Sequence, residues 1–184
     1  FTGSGLFNLG SVANKVVHAS RAPVWVVPSE LRNEVILDQV PRRGMVIPLD
    51  GSKSAEAVIP HAINIAKQRG VESHIVLVHV MPLTRYYFSY SDVMKEEEER
   101  KAIIDYLEKV AGRIREAGVE ARYEVLNGEP PETIVDFVKN NPTQLIAMST
   151  RARSGFNLMI FGSVAESVLQ LVKKTPIFLV KSSE

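Results

Sequence analysis

The sequence predicts an α/β fold, a doubly wound parallel sheet of five strands between helices. Three features of the 184-residue chain carry that expectation. From residue 44 onward, apolar runs of strand length alternate with segments of helix length, giving the order β-α-β-α-β-α-β-α-β. Those connections are long enough for the crossovers that parallel strands require. Most of the runs are apolar at successive positions, as in strands buried on both faces. Right-handed crossovers then place helices on both sides of the sheet.

The elements follow in order. The first strand spans 45–49, with Pro48 near its end. Asp50, Gly51 and Ser52 turn the chain, and Ser52 or Ser54 caps a helix expected over 55–69. Val58, Ala62, Ile65 and Ala66 form its apolar stripe, and Gly70 stops it. The second strand is 75–80. An irregular aromatic stretch with Tyr86, Tyr87, Phe88 and Tyr90 reads either as a lid over a crevice or as packing on the next helix. That helix is long, over 92–117, and Gly118 ends it. Residues 121–126 alternate like a third strand. The turn 127–131 puts Pro131 in the first turn of a helix ending near Asn140. The fourth strand is 145–148, followed by small and polar residues over 149–155. Gly162 and Ser163 then open a helix, with Val164, Val168, Leu169 and Val172 on one stripe, and the fifth strand is 177–180. Upstream, 10–19 reads as a helix, 24–27 as a short strand, and the polar segment 29–43 as a linker.

Composition narrows the function. The chain is 45% hydrophobic and 23% charged, with a net charge of +1. That balance is ordinary for a globular domain and calls for neither nucleic acid nor an anionic membrane. Without cysteine there is no disulfide framework, thiolate nucleophile or cysteine-ligated metal. The apolar runs fall short of the roughly 20 residues that span a bilayer, and no signal-peptide pattern opens the chain. A cytoplasmic setting is expected. His18, His61, His74 and His79 lack metal-ligand spacing. His79, inside an apolar strand, reads as a core histidine.

An internal repeat organises the ends. Leu9, Gly10, Ser11, Val12 and Ala13 match Phe161, Gly162, Ser163, Val164 and Ala165, and Val16 aligns with Val168. Val24, Trp25, Val26 and Val27 align with Ile177, Phe178, Leu179 and Val180 after a one-residue slip. Residues 1–28 therefore read as the last helix and strand of a preceding copy, 29–43 as linker and 44–184 as a complete copy. An orphan apolar strand must pair. The expectation is that residues 24–27 lie antiparallel to residues 177–180, in a pseudo-twofold contact between copies or with a second chain.

The candidate site is the stretch 148–169. A strand turning through small residues into a helix N-terminus offers free backbone N–H groups and a dipole that favours anions. Ser163 adds a hydroxyl, and Arg151 and Arg153 are candidate phosphate partners. The plain alternative is an ordinary strand–loop–helix connection. If the first and fourth strands are neighbours where the strand order reverses, Asp50 and the 149–163 loop meet in one crevice.

Over residues 44–181 the chain resembles the universal stress protein family. The matching signatures are V-I-P-L-D-G-S beginning at Val46, L-V-H-V beginning at Leu77, G-E-P-P-E-T-I beginning at Gly128, and the stretch from Met148 to Leu169. The resemblance implies an adenine nucleotide alpha hydrolase-like fold with strand order 3-2-1-4-5, and a tendency to dimerise through the last strand. ATP-binding members carry Gly, two residues, Gly, nine residues, then Gly-Ser or Gly-Thr. Here the spacing is intact, but Ser149 and Ala152 replace the early glycines. Their Cβ atoms oppose close backbone approach to a ligand. The resemblance further implies that Asp50 faces the adenosine side and that Val80 meets adenine through its backbone. Gly162, Ser163 and Val164 would offer amides to phosphates, and Pro48 and Leu49 would shape the wall. Asp50 has an alternative role as an Asx-type cap, and Val80 as plain core.

Three functions follow from this reading. The first is a regulatory domain binding ATP or a related adenine nucleotide, with or without magnesium. The second is a ligand-free interaction module of the same fold, favoured by Ser149 and Ala152. The third is a slow nucleotide hydrolase, disfavoured because no nucleophile–base–orienter set is visible.

Overall fold

The computed structural model describes residues 10–20, 22–31, 33–36, 44–70, 73–83, 90–141, 143–152, 159–160 and 162–182. Of residues 34, 36, 90, 151, 152, 159 and 160 only the backbone is described. The expected aromatic stretch with Tyr86, Tyr87 and Phe88, the candidate partner Arg153, and residues 1–9 of the repeat lie outside the described residues.

The elements are α1 (Ser11–Ala19), β1 (Val24–Val26), α2 (Asn33–Ile36), β2 (Gly44–Pro48), α3 (Lys53–Glu56), α4 (Ile59–Arg69) and β3 (His74–Met81), followed by α5 (Tyr90–Glu116), β4 (Glu120–Asn127), α6 (Pro130–Asn140), β5 (Leu145–Ala152), β6 (Met159–Ile160), α7 (Ser163–Leu171) and β7 (Ile177–Lys181). The sheet runs β1-β7-β5-β2-β3-β4, with β6 paired to β5 alone. The parallel strands β2, β3, β4, β5 and β7 thus stand in the expected 3-2-1-4-5 order. β1 adds an antiparallel edge, with Val24 opposite Leu179, Trp25 opposite Phe178 and Val26 opposite Ile177.

Alternation along the strands divides the core between two layers. Met45, Ile47, Ile75 and Leu77 face one way, onto Val58 and Ala62 beside α3 and α4 and onto Leu107 and Ile114 of α5. Val46, Val76, Val78 and Ile146 face the other way, onto Ile134 and Val138 of α6 and Val168 of α7. Ile47, Ile75, Leu77, Leu107, Ile114 and Ile146 are fully buried. Each such side chain contributes about 1.5–3 kcal/mol of transfer free energy. Two layers of this kind make a rigid floor for whatever sits at the strand ends.

The structure corrects several expectations. The helix expected over 55–69 is two helices, α3 and α4, separated at Ala57 and Val58. Pro60 explains the break. It has no N–H to give, and its ring would meet the carbonyl four residues back, at Glu56, where α3 ends. Proline is tolerated instead in the first turn of α4. The fourth strand is longer than 145–148, because its backbone has partners further on. Ser149 stands opposite Val180 and Thr150 opposite Lys181. Arg151 and Ala152 pair with Ile160 and Met159 in a hairpin inside the expected loop. Ladder partners override side-chain polarity here. The polar segment 29–43, read as linker, holds the short helix α2.

Candidate functional site

The crevice follows from where strands separate. β2 pairs with β5 only through Met45–Leu145 and Val46–Ile146. On its other side β2 stays with β3 through Pro48–Val78. β2 and β5 therefore part at their carboxyl ends, at the reversal point of the strand order, where such sheets bind ligands. The resulting cavity is about 320 Å³, within the range of small-molecule sites.

Its wall on the β2 side is the Pro48–Leu49–Asp50 turn. Leu49 is 4% exposed and donates its N–H to the Val78 carbonyl at 2.8 Å. Asp50 turns outward, and its carboxylate accepts from the Ser52 N–H at 2.9 Å and the Ser52 hydroxyl at 2.6 Å. This is an Asx-type turn. Ser52 in turn caps α3, accepting from the Ala55 N–H at 3.1 Å. Asp50 thus plays its alternative local role while still lining the cavity.

The opposite wall is the start of α7. Gly162 is the N-cap, with φ −63° and ψ 151°, and as a glycine it brings no side chain of its own to cap this end. The first intrahelical bond runs from the Glu166 N–H to the Gly162 carbonyl at 3.0 Å. The amides of Ser163, Val164 and Ala165 precede that bond, and all three residues line the cavity. Among the described residues, a Cβ built on Gly162 would meet nothing within 4 Å. At the floor, Ser149 donates its hydroxyl to the Ala55 carbonyl at 3.2 Å, so it leans toward α3.

Pro48, Leu49, Asp50, Val80, Ser149, Gly162, Ser163 and Val164 come together around this one cavity. Arg151 and Ala152 lie in β5, on the strand that forms the floor, and their side chains lie outside the described residues. Sequence reading missed Ser54, Val78, Pro130 and Ile134 as lining residues. It also missed His79, which is not a core histidine. It is half-buried, lines the cavity, and bonds through Nδ1 to the Leu49 carbonyl at 2.8 Å. Its apolar sequence neighbours gave no signal of this contact.

Near the crevice, Tyr106 of α5 keeps its proton well above the ordinary tyrosine range. Burial is the larger cause, followed by the negative charges of Glu56 and Asp50. Arg113 bonds Glu56 and joins α5 to α3. Among the described residues, no group of three His, Asp, Glu or Cys residues converges as a metal site, and no helix is long and apolar enough to cross a membrane.

A doubly wound α/β domain with a small-molecule-sized crevice at its switch point defines the class. A family model, "Universal stress protein family", matches residues 41–181. The chain belongs to that family. A universal stress protein of Methanocaldococcus jannaschii is 34% identical over 158 residues, 79% of this chain and 89% of that protein. A universal stress protein of Mycolicibacterium smegmatis is 27% identical over 94% of this chain, which spans 56% of that protein's length. Among solved structures, the universal stress protein from Archaeoglobus fulgidus in complex with dAMP is 26% identical. Its TM-score is 0.52, with 75% of this chain and 95% of that chain covered.

Proposed function

We propose that this chain is a regulatory domain that binds an adenine nucleotide, ATP or a close relative, in the crevice between β2 and β5. The observation carrying the reading is the start of α7 at the cavity, with the amides of Ser163, Val164 and Ala165 ahead of the first helical bond. An anionic tail over those amides satisfies groups the helix leaves over. Val80, which lines the cavity, would meet the base, and Leu49 and Pro48 would form the wall beside the sugar. The related structure that holds dAMP supports an adenine nucleotide as the ligand class. Where magnesium accompanies ATP, its main ligands would be phosphate oxygens and water. No residue is assigned a catalytic role, and regulation through binding is the activity.

The test is a thermal-shift and calorimetric comparison of ATP, AMP, GTP and inorganic phosphate. At a hundredfold excess over its dissociation constant, a bound ligand stabilises the fold by about 2.7 kcal/mol. ATP and AMP should raise the melting temperature and GTP should not. No response to millimolar ATP would overturn the reading.

A second reading, an interaction module, has its own support. β1 closes one edge of the sheet in antiparallel pairing. Val16, Trp25 and Val27 leave large apolar area exposed along a groove of about 700 Å³ between α1, β1 and α7. Together with the repeat, this supports residues 1–28 as the closing helix and strand of another copy. Self-association would then use the β1–β7 edge. Trp25→Glu should lower any oligomer seen by sedimentation, and an unchanged distribution would argue against it.

A further inference from the structure

His79 marks the point where the β2–β3 ladder stops. Up to Pro48 and Val78 the two strands run in parallel register. Leu49 still donates its N–H to Val78, and among the described residues its carbonyl receives no backbone N–H. The imidazole of His79 fills that role at 2.8 Å. A carbonyl oxygen only accepts, so Nδ1 carries the proton and donates it. Leu49 is thus held at both its N–H and its carbonyl, each time by β3. The next residue is Asp50, whose carboxylate organises Ser52 and the cap of α3.

We infer that His79 is a positioning residue. It replaces a ladder bond with a side-chain bond where β2 must leave β3, and so sets the direction in which Asp50 and the 50–55 turn face the crevice. The affinity part of the test rests on the nucleotide reading, while the structural part does not.

The experiment compares His79→Leu, His79→Asn and His79→Gln, each alone and with Asp50→Asn. The asparagine side-chain amide stands where Nδ1 stands, whereas glutamine carries its amide about one bond further out. Backbone amide chemical shifts without ligand form the first readout. His79→Leu should move the amides of Leu49, Asp50 and Ser52, and His79→Asn should return them toward the unaltered protein. ATP affinity is the second. His79→Leu should weaken binding about tenfold, His79→Asn should restore it to within about threefold, and His79→Gln should restore less. The loss caused by Asp50→Asn should shrink in the His79→Leu background, because a carboxylate no longer aimed has less to lose. A merely structural histidine would leave that loss the same in both backgrounds. Unmoved amides in His79→Leu, an equal loss in both backgrounds, or glutamine restoring as well as asparagine would overturn the inference. If the unaltered protein binds no ATP, the nucleotide reading fails, and the amide shifts and the Asn-against-Gln comparison still decide the role of His79.

Discussion

A single substitution at the mouth of α7 separates ligand binding from fold stability, because the two should move in opposite directions. Gly162 is exposed, has an ordinary negative φ, and among the described residues has open space where a Cβ would go. Gly162→Asp therefore costs no strain. Its carboxylate can accept from the amides at the second or third helical position, as a good N-cap does. Asp gains a few tenths of a kcal/mol over Gly at this position. The helix dipole adds about 0.3–1 kcal/mol. At about 2–4 °C per kcal/mol for a protein of this size, the melting temperature should rise by about 1–5 °C. The same carboxylate would stand where a phosphate is proposed to sit. Two like unit charges about 6 Å apart repel by about 1.4–2.8 kcal/mol at an effective dielectric of about 20–40, a loss of about ten- to a hundredfold in affinity. Added salt should weaken that penalty. Gly162→Asn supplies the cap without the charge and should stabilise while losing far less affinity. Calorimetry with ATP and a thermal scan of all three proteins provide the assay. A more stable Gly162→Asp protein that binds ATP as well as the unaltered one would refute the placement of the phosphates at α7.

Four further outcomes are expected. Ser149→Gly removes the hydroxyl bond to the Ala55 carbonyl and puts glycine in a strand. It should cost about 1–2 kcal/mol by urea unfolding and tighten ATP binding several-fold by calorimetry. Gly128→Ala places a Cβ 2.3 Å from the Thr133 hydroxyl at φ +150°. It should destabilise by about 2 kcal/mol or more, with part of the loss recovered by adding Thr133→Ala. Leu77→Ala opens a cavity at a fully buried site between the sheet and α5 and should cost about 2–5 kcal/mol in the same assay. In an ultraviolet titration, Tyr106 should ionise above the ordinary tyrosine range. Its folded value is raised, so its contribution to stability is complete below the unfolded value near 10 and is lost as pH climbs through the folded one.

The sheet was legible because its signals are redundant. Strand length, two-faced apolarity and helix-length connections all point to one architecture, and the repeat pointed to the antiparallel edge strand that the structure contains. Boundaries failed where one local rule overrode a pattern. The apolar stripe through Val58 and Ala62 looked like one helix, and Pro60 alone divides it. Ser149 and Thr150 looked like loop, yet β7 supplies them with backbone partners that no local window shows. The crevice walls at Asp50 and Gly162 were readable because glycine, serine and aspartate mark turns and helix starts by mechanism. His79 was not. Its sequence neighbours are apolar, and its use depends on a carbonyl thirty positions away that only the folded sheet brings near.

The most direct test of the central claim is an amide chemical-shift titration of the chain with ATP. The account predicts saturable shifts at Ser163, Val164 and Ala165, together with Asp50 and Val80, and weaker effects at the β1 edge. Saturable shifts confined to other surfaces, or none at millimolar ATP, would contradict it.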